Sequence, residues 1–224
     1  PQKVAWNGKK FQYRGTFVSL TENFCSIGME QPAGNKITGN PSSHPALSVK
    51  WVEDFPDIPL NRNEAYKLRV TSKGVEIEAI TETGVYRAIQ TLRQLTEKKG
   101  NGIAITGCEI TDWPAFRIRG FMQDVGRTYI STDELKREIA ILARYKINVF
   151  HWHLTENQAW RLQSKVFPML NDSVNTTRQP GKYYTLEEAR ELAAFCKQHH
   201  VLLIPEIDMP GHSAAFVRTF RHDM

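Results

Sequence analysis

The chain has 224 residues, of which 41% are apolar and 24% charged, and it carries a formal net charge of +5. That balance is the composition of a globular protein and excludes collagen-like, low-complexity and disordered classes. The basic excess is small and scattered, and no apolar run is long enough to span a bilayer, so neither nucleic acid nor membrane is an expected partner.

The chain begins at Pro1 without a charged stretch leading into an apolar one, so no signal peptide is expected within it. Cys25, Cys108 and Cys196 lie far apart and form no C-x-x-C pair. They read as small core residues, neither a disulfide framework nor a zinc site.

Taken in order, Lys10 to Leu20 holds strand-like stretches and residues 30–45 are rich in Gly, Pro, Asn and Ser, which predicts a loop. Tyr66, Leu68 and Val70 alternate with polar residues, Ser72-Lys73-Gly74 supplies turn chemistry, and Val75, Ile77 and Ala79 alternate again. This is a β-hairpin pattern. Val85, Ala88, Ile89, Leu92 and Leu95 then recur at helical spacing, and Gly100-Asn101-Gly102 ends that segment. Ile103 to Ile110 returns as a strand.

Around Thr111-Asp112-Trp113-Pro114 the pattern changes to alternating strands and helices. Arg117 to Asp124 reads as a strand. Ser131 with Glu134 forms a capping box ahead of a helix whose apolar face is Leu135, Ile139 and Leu142. Ile147 to Leu154 is the next strand, and Thr185 with Glu188 caps a second helix carrying Leu186, Ala189, Leu192, Ala193 and Cys196. Val201 to Ile207 reads as a continuous apolar strand, of the kind buried on both faces. Alternation of this sort predicts a parallel sheet, doubly wound or closed into a barrel. The first strand–helix turn, Asp124-Val125-Gly126-Arg127-Thr128, lacks the G-x-G-x-x-G of a dinucleotide site.

The polar residues favour the barrel. Asp124 and Arg127 follow the first of these strands; His151, His153, Glu156 and Arg161 lie along and after the second; Glu206, Asp208 and His212 follow the third. Barrel enzymes keep their sites at that end of their strands. Each residue alone has a structural explanation, such as a turn or a helix cap, and His199-His200 reads as a helix end. The set is what points to a pocket. The long segment from Thr155 to Tyr184 adds Trp160 and Tyr183, aromatics that could stack on a sugar ring, while Trp160 and Phe167 could equally pin the loop to the barrel.

Three stretches, Ile118 to Arg127 (IRGFMQDVGR), Lys146 to Thr155 (KINVFHWHLT) and Ile204 to Ser213 (IPEIDMPGHS), resemble the first three strand motifs of the glycoside hydrolase family 20 β-N-acetylhexosaminidases. Residues 63–96 resemble the small α+β domain that precedes the barrel in that family, and the likeness is weakest over residues 24–57. The resemblance implies an α+β N-terminal domain, residues 1–111 with an antiparallel sheet, followed by a truncated α/β (β/α)8 TIM barrel, residues 112–224. It implies removal of terminal N-acetylhexosamine (GlcNAc or GalNAc) from glycans with retention, the substrate's own 2-acetamido oxygen attacking C1. The implied partner is an N-acetylhexosamine-terminated glycan and no cofactor is implied; the implied setting is periplasmic, extracellular or lysosome-like.

Arg127 matches the arginine that holds the C3 and C4 hydroxyls of the terminal sugar. His212 matches a histidine hydrogen-bonded into the acid/base machinery, and Glu156, with a supporting role in that relay, stands where the family usually has Asp. Asn157 replaces a second common Asp. Glu206 and Asp208 match acidic residues of the third motif, which orient His212 and the loop, and with His153 and Trp160 they are expected to bind substrate. The family's adjacent Asp-Glu pair, which orients the acetamide and protonates the leaving oxygen, follows a fourth strand. The one Asp-Glu here, Asp133-Glu134, belongs to a capping box. The chain by itself is therefore expected to be inactive, and its open barrel edge to self-associate. Two other readings stay open: a non-catalytic carbohydrate-binding fragment, and a metal-dependent barrel hydrolase using His151 and His153 with His212.

Overall fold

The computed structural model describes residues 1–15, 20–21 and 46–221. They form two compact units, Pro1–Arg117 and Ile118–Met224, which divide a few residues beyond the expected junction. The expected loop over residues 30–45, Cys25, most of the weakly matching stretch 24–57 and part of the Lys10–Leu20 stretch lie outside the described residues.

The first unit is an α+β sandwich. Its strands are β1 (Lys3–Tyr13), β2 (Leu47–Trp51), β3 (Tyr66–Thr71), β4 (Gly74–Ala79), β5 (Thr96–Lys99) and β6 (Gly102–Asp112), and the helix α1 (Glu82–Gln94) packs on the sheet they form. The sheet order is β1-β6-β3-β4-β2, with β5 on the other half of β6. The expected hairpin is β3–β4, paired from Tyr66↔Ala79 to Thr71↔Gly74. Its inward residues Leu68, Val70, Val75 and Ile77 are buried against Val85, Ala88, Ile89 and Leu92 of α1. Thr81 caps that helix, its hydroxyl accepting the Gly84 N–H at 3.2 Å. Two strands escaped the sequence reading. β2 pairs with β4 in parallel, from Leu47↔Val75 to Trp51↔Ala79, a partnership that no hairpin signal announces. β5 is four residues with an exposed TEKK sequence, and it forms a tight hairpin with β6 about Gly100.

The second unit is a βα alternation: β7 (Gly120–Asp124), α2 (Thr132–Arg144), β8 (Val149–His153), α3 (Leu186–Gln198), β9 (Leu202–Glu206) and a short α4 (Ala214–Phe220). The three strands are parallel and neighbour one another in chain order, β7-β8-β9. Sequential order without a reversal is what the opening strands of a barrel have. Both expected capping boxes are present, Ser131 with Glu134 on α2 and Thr185 with Glu188 on α3. Leu135, Ile139 and Ala143 of α2 and Leu192 and Cys196 of α3 are buried, as are Phe150 and Trp152 of the strand between them.

The apolar run Val201 to Ile207 predicts a strand buried on both faces, yet Leu202 is 61% exposed and Ile204 and Ile207 are also open. β9 is the edge of the three-stranded sheet, so an apolar composition suited to a closed barrel here meets solvent on one face and one flank. Cys108 and Cys196 are buried free thiols, as read from sequence, and burial pushes the Cys196 thiol up to about 12.

Candidate active site

Sheet register assembles the polar cluster. Asp124 of β7 stands opposite His153 of β8, which stands opposite Glu206 of β9. Because side chains alternate across a parallel sheet, these three share one face at the C-terminal end. One step inward on that face lie Met122, His151 and Ile204; the opposite face carries Phe121, Phe150 and Leu203. The loops after the strands add Arg127, Glu156, Asp208 and His212, so all eight polar residues fall on one rim.

Arg127 sits at the centre of this rim. Its backbone N–H donates to Asp124 Oδ1 at 3.1 Å, and its guanidinium is ion-paired with both Asp124 and Glu156. Two carboxylates thus fix the plane of a side chain that stays 47% exposed, leaving N–H groups for a ligand. Burial raises the Asp124 carboxyl, but the backbone and guanidinium N–H groups of Arg127 outweigh it and hold that carboxyl below the usual carboxylate range. The same contact, with Asp124 first and Glu156 adding, raises Arg127.

Glu156 is 1% exposed. It accepts from Arg127, lies 3.3 Å from His212 Nε2 and takes the backbone N–H of Asn157. Residue 126 is glycine where the turn after β7 meets this backbone: a Cβ there would come within 2.7 Å of Glu156 Cβ, whatever acid stood at 156. His212 has a left-handed backbone, φ 50°, and its ring bridges two acids. Nδ1 lies 2.7 Å from Asp208 Oδ2, while Nε2 faces Glu156 and stands 3.4 Å from an Arg127 nitrogen. Asp208 is itself set by the Thr155 hydroxyl, which accepts its backbone N–H at 2.9 Å.

Glu206 points elsewhere. Its Oε2 lies 2.6 Å from His151 Nε2, and its Oε1 is 4.0 Å from His153 Nε2. It therefore touches the histidines of β8, while Asp208 alone of the third-motif acids bonds His212. His153 is buried, its Nδ1 3.5 Å from Asp124 and its Nε2 3.8 Å from Asp208. The triplet considered for a metal separates: His153, Asp208 and His212 present donor atoms within 4.8 Å of one another, whereas His151 is engaged by Glu206.

The long loop after β8 is ordered by polar contacts to its own backbone. Arg161 is fully buried and donates to the carbonyls of Val125, Arg178, Gln179 and Lys182 at 2.7–3.2 Å. That places it under the rim as a loop anchor, with no N–H turned toward a ligand. Trp160 packs on Phe216 and Phe167 on Phe220, at centroid separations of 6.1 and 5.3 Å, so both pin the loop to α4. Trp160 also lines a mainly apolar cavity of about 250 Å³ with Met209, Phe216 and Val217, closed at one side by Glu156, Asp208 and His212.

Sequence reasoning does not single out Tyr184 or Thr155, and gives Asn157 only as a replaced Asp. Tyr184 is buried, donates to the Ile130 carbonyl at 2.6 Å and meets Trp152 edge-on. Thr155 positions Asp208. Asn157 accepts the Ala214 N–H at 3.2 Å and thereby caps α4 from across the loop, directly after His212. Thr155 and Asn157 have cues, the end of the second strand motif and the position of a replaced Asp; Tyr184 has none.

The chain is similar to a set of known proteins. Residues 116–222 match the family model "Glycosyl hydrolase family 20, catalytic domain" and residues 26–113 match "Glycosyl hydrolase family 20, domain 2". A β-hexosaminidase of Porphyromonas gingivalis is 39% identical over 85% of this chain and 24% of its own length. One from Vibrio furnissii is 38% identical over 69% of this chain and 28% of its own length. The solved β-N-acetylhexosaminidase of Bacteroides fragilis superposes with a TM-score of 0.78 at 27% identity, over 99% of this chain and 47% of that one. An exo-β-N-acetylglucosaminidase of Vibrio harveyi, in complex with N-acetylglucosamine, gives 0.77 at 28% identity, over 99% and 37%. The chain thus spans about a quarter of the length of these two curated relatives and less than half of these solved ones. With its domain 2 and the opening βα units of its catalytic domain both represented, the chain belongs to glycoside hydrolase family 20.

Proposed function

We propose that these residues form the sugar-holding and relay side of a hydrolase that removes terminal N-acetylhexosamine from glycans. The observation that carries the reading is the clamped, half-exposed Arg127: a guanidinium held in plane by Asp124 and Glu156 beside the His212 bridge. A planar donor fork of this kind suits vicinal sugar hydroxyls, and its pre-set orientation means little ordering is lost on binding.

In this reading Arg127 binds and orients the terminal ring. Glu156 keeps the guanidinium in place, and its carboxylate and His212 Nε2 form a path along which a proton can be shared. Asp208 holds the other ring nitrogen and so fixes the imidazole's orientation. The nucleophile is the substrate's acetamido oxygen, as in the substrate-assisted glycosidases. The general acid is not among these residues: the carboxylate of Glu134, in the single Asp-Glu pair, is occupied by the Ser131 N–H and hydroxyl at 3.0 and 2.6 Å. The open face of β7–β9, with Met122, Leu202 and Ile204, and the free edge of β9 are surfaces through which the isolated chain self-associates. The setting is periplasmic, extracellular or lysosome-like by analogy with the family.

The test is hydrolysis of a chromogenic N-acetylglucosaminide. The full-length gene product is expected to turn it over and the 224-residue chain is not. In the full-length protein Arg127→Ala lowers kcat/KM by about 100-fold or more, the scale of losing charge-assisted hydrogen bonds to substrate. Turnover by the 224-residue chain, or an Arg127→Ala enzyme of normal kcat/KM, would overturn the assignment.

A further inference from the structure

His153 is only 4% exposed, and its Nε2 has no hydrogen-bond partner. A buried polar atom left in that state marks a place made for something else. The nitrogen is aimed at two carboxylates, Asp208 Oδ2 at 3.8 Å and Glu206 Oε1 at 4.0 Å. Both separations are too long for hydrogen bonds. They lie nearer to the spacing of about 3.3 Å between ligand atoms around a tetrahedral ion with bonds of about 2.0–2.1 Å. His212 Nδ1 stands 2.7 Å from the same Asp208 oxygen, so two imidazoles and a carboxylate converge from β8 and the loop after β9.

Charge favours a cation there. Four carboxylates (Asp124, Glu156, Glu206 and Asp208) crowd one rim, and its single guanidinium is paired with Asp124 and Glu156. Glu206 and Asp208 face histidines instead. The site is reachable, since the side chain of His212 is 45% exposed. Mixed imidazole and carboxylate donors select a zinc-class ion over calcium or magnesium, which prefer all-oxygen sets.

We propose that His153, Asp208 and His212 bind a divalent transition-metal ion of the zinc class, and that the bound ion inhibits hydrolysis. The ion takes the Asp208 oxygen and the His212 Nδ1 that otherwise bond each other, and so breaks the contact by which Asp208 orients the ring toward Glu156. Binding stands on the geometry alone; the inhibitory consequence rests on the hydrolase reading above.

Co2+, titrated into the purified 224-residue chain and followed by its visible d–d absorption, tests the binding. One equivalent is expected to give the intense bands of a tetrahedral site, displaced by Zn2+. His153→Gln and Asp208→Asn each weaken binding by about 100-fold or more, a loss at least as large as that seen on removing groups that merely orient metal ligands. His199→Gln leaves the bands unchanged. Weak octahedral bands, or affinity unaltered in both site variants, would overturn the site. If His153→Gln does not fold by circular dichroism, the partly exposed Asp208 decides through its own variant. In the full-length protein Zn2+ is expected to stop hydrolysis of the chromogenic substrate and a chelator to restore it. Metal binding without inhibition overturns the inhibitory role. A metal-free full-length protein with no turnover counts against the hydrolase reading and leaves the cobalt result standing.

Discussion

Replacing Arg161 by methionine, which keeps much of the stem's bulk, removes four hydrogen bonds at once. Their acceptors are the carbonyls of Val125, Arg178, Gln179 and Lys182, and they tie the end of the loop after β8 to the turn after β7. Residues 178, 179 and 182 are exposed, so their carbonyls can turn to water once the guanidinium is gone; Val125 is fully buried and its carbonyl loses a charged donor without replacement. One buried acceptor left bare costs about 1–3 kcal/mol, and three rehydrated ones about 0.5–1 kcal/mol each. Against this stands relief from burying a guanidinium, whose desolvation already lowers the Arg161 pKa. The net loss is about 3 kcal/mol, which in a unit of this size lowers the midpoint of thermal unfolding by more than about 10 °C. Arg161→Lys recovers part of it, because an ammonium cannot span the same fork of carbonyls. Urea unfolding gives the free energy, and limited proteolysis under native conditions reports on residues 176–183, where cleavage should rise in step. A loss below about 1 kcal/mol with cleavage unchanged would refute the anchoring role.

Two further outcomes follow from the rim and the open sheet. The Asp124 carboxyl is held below its ordinary value in the folded chain, so its contribution to stability is complete above the unfolded value of about 4 and is lost as the pH falls through the lower folded value; the stability gap between the wild-type chain and Asp124→Asn, read from urea midpoints, should therefore be widest near pH 6 and close as the pH drops toward about 2, and a gap constant across that range would contradict the pairing. Sedimentation of the 224-residue chain should show mass rising with concentration, and Ile204→Lys on the open face should suppress it; a monomer at all concentrations would remove self-association from the account.

Much of the second unit was legible because its signals are local. Ser131 with Glu134 and Thr185 with Glu188 announce two helices within four residues each, and the β3–β4 hairpin declares itself by alternation around Ser72-Lys73. What stayed hidden depends on residues distant in sequence. β2 is defined by pairing with β4 across the hairpin and its loop, and TEKK in β5 becomes a strand only because β6 offers an edge. The exposure of Leu202 and Ile204 reflects which neighbours a strand has, a property its own apolar sequence does not encode. At the site, Arg127, Glu156, Asp208 and His212 could be gathered from strand ends, but not the split between Asp208, which holds His212, and Glu206, which holds His151. Arg161 follows the second strand as the pocket residues do; only the backbone carbonyls around it give it its role.

The row Asp124–His153–Glu206 depends wholly on the alignment of three parallel strands. A slip of one residue in β8 would bring Trp152 or Leu154 into line with Asp124, and would turn His151 and His153 toward the face where Phe150 and Trp152 are now buried. Such a misaligned chain would lose its chemistry and its core together. For a one-residue slip, then, the rim and the core stand or fall together, because one alternation of side chains sets both.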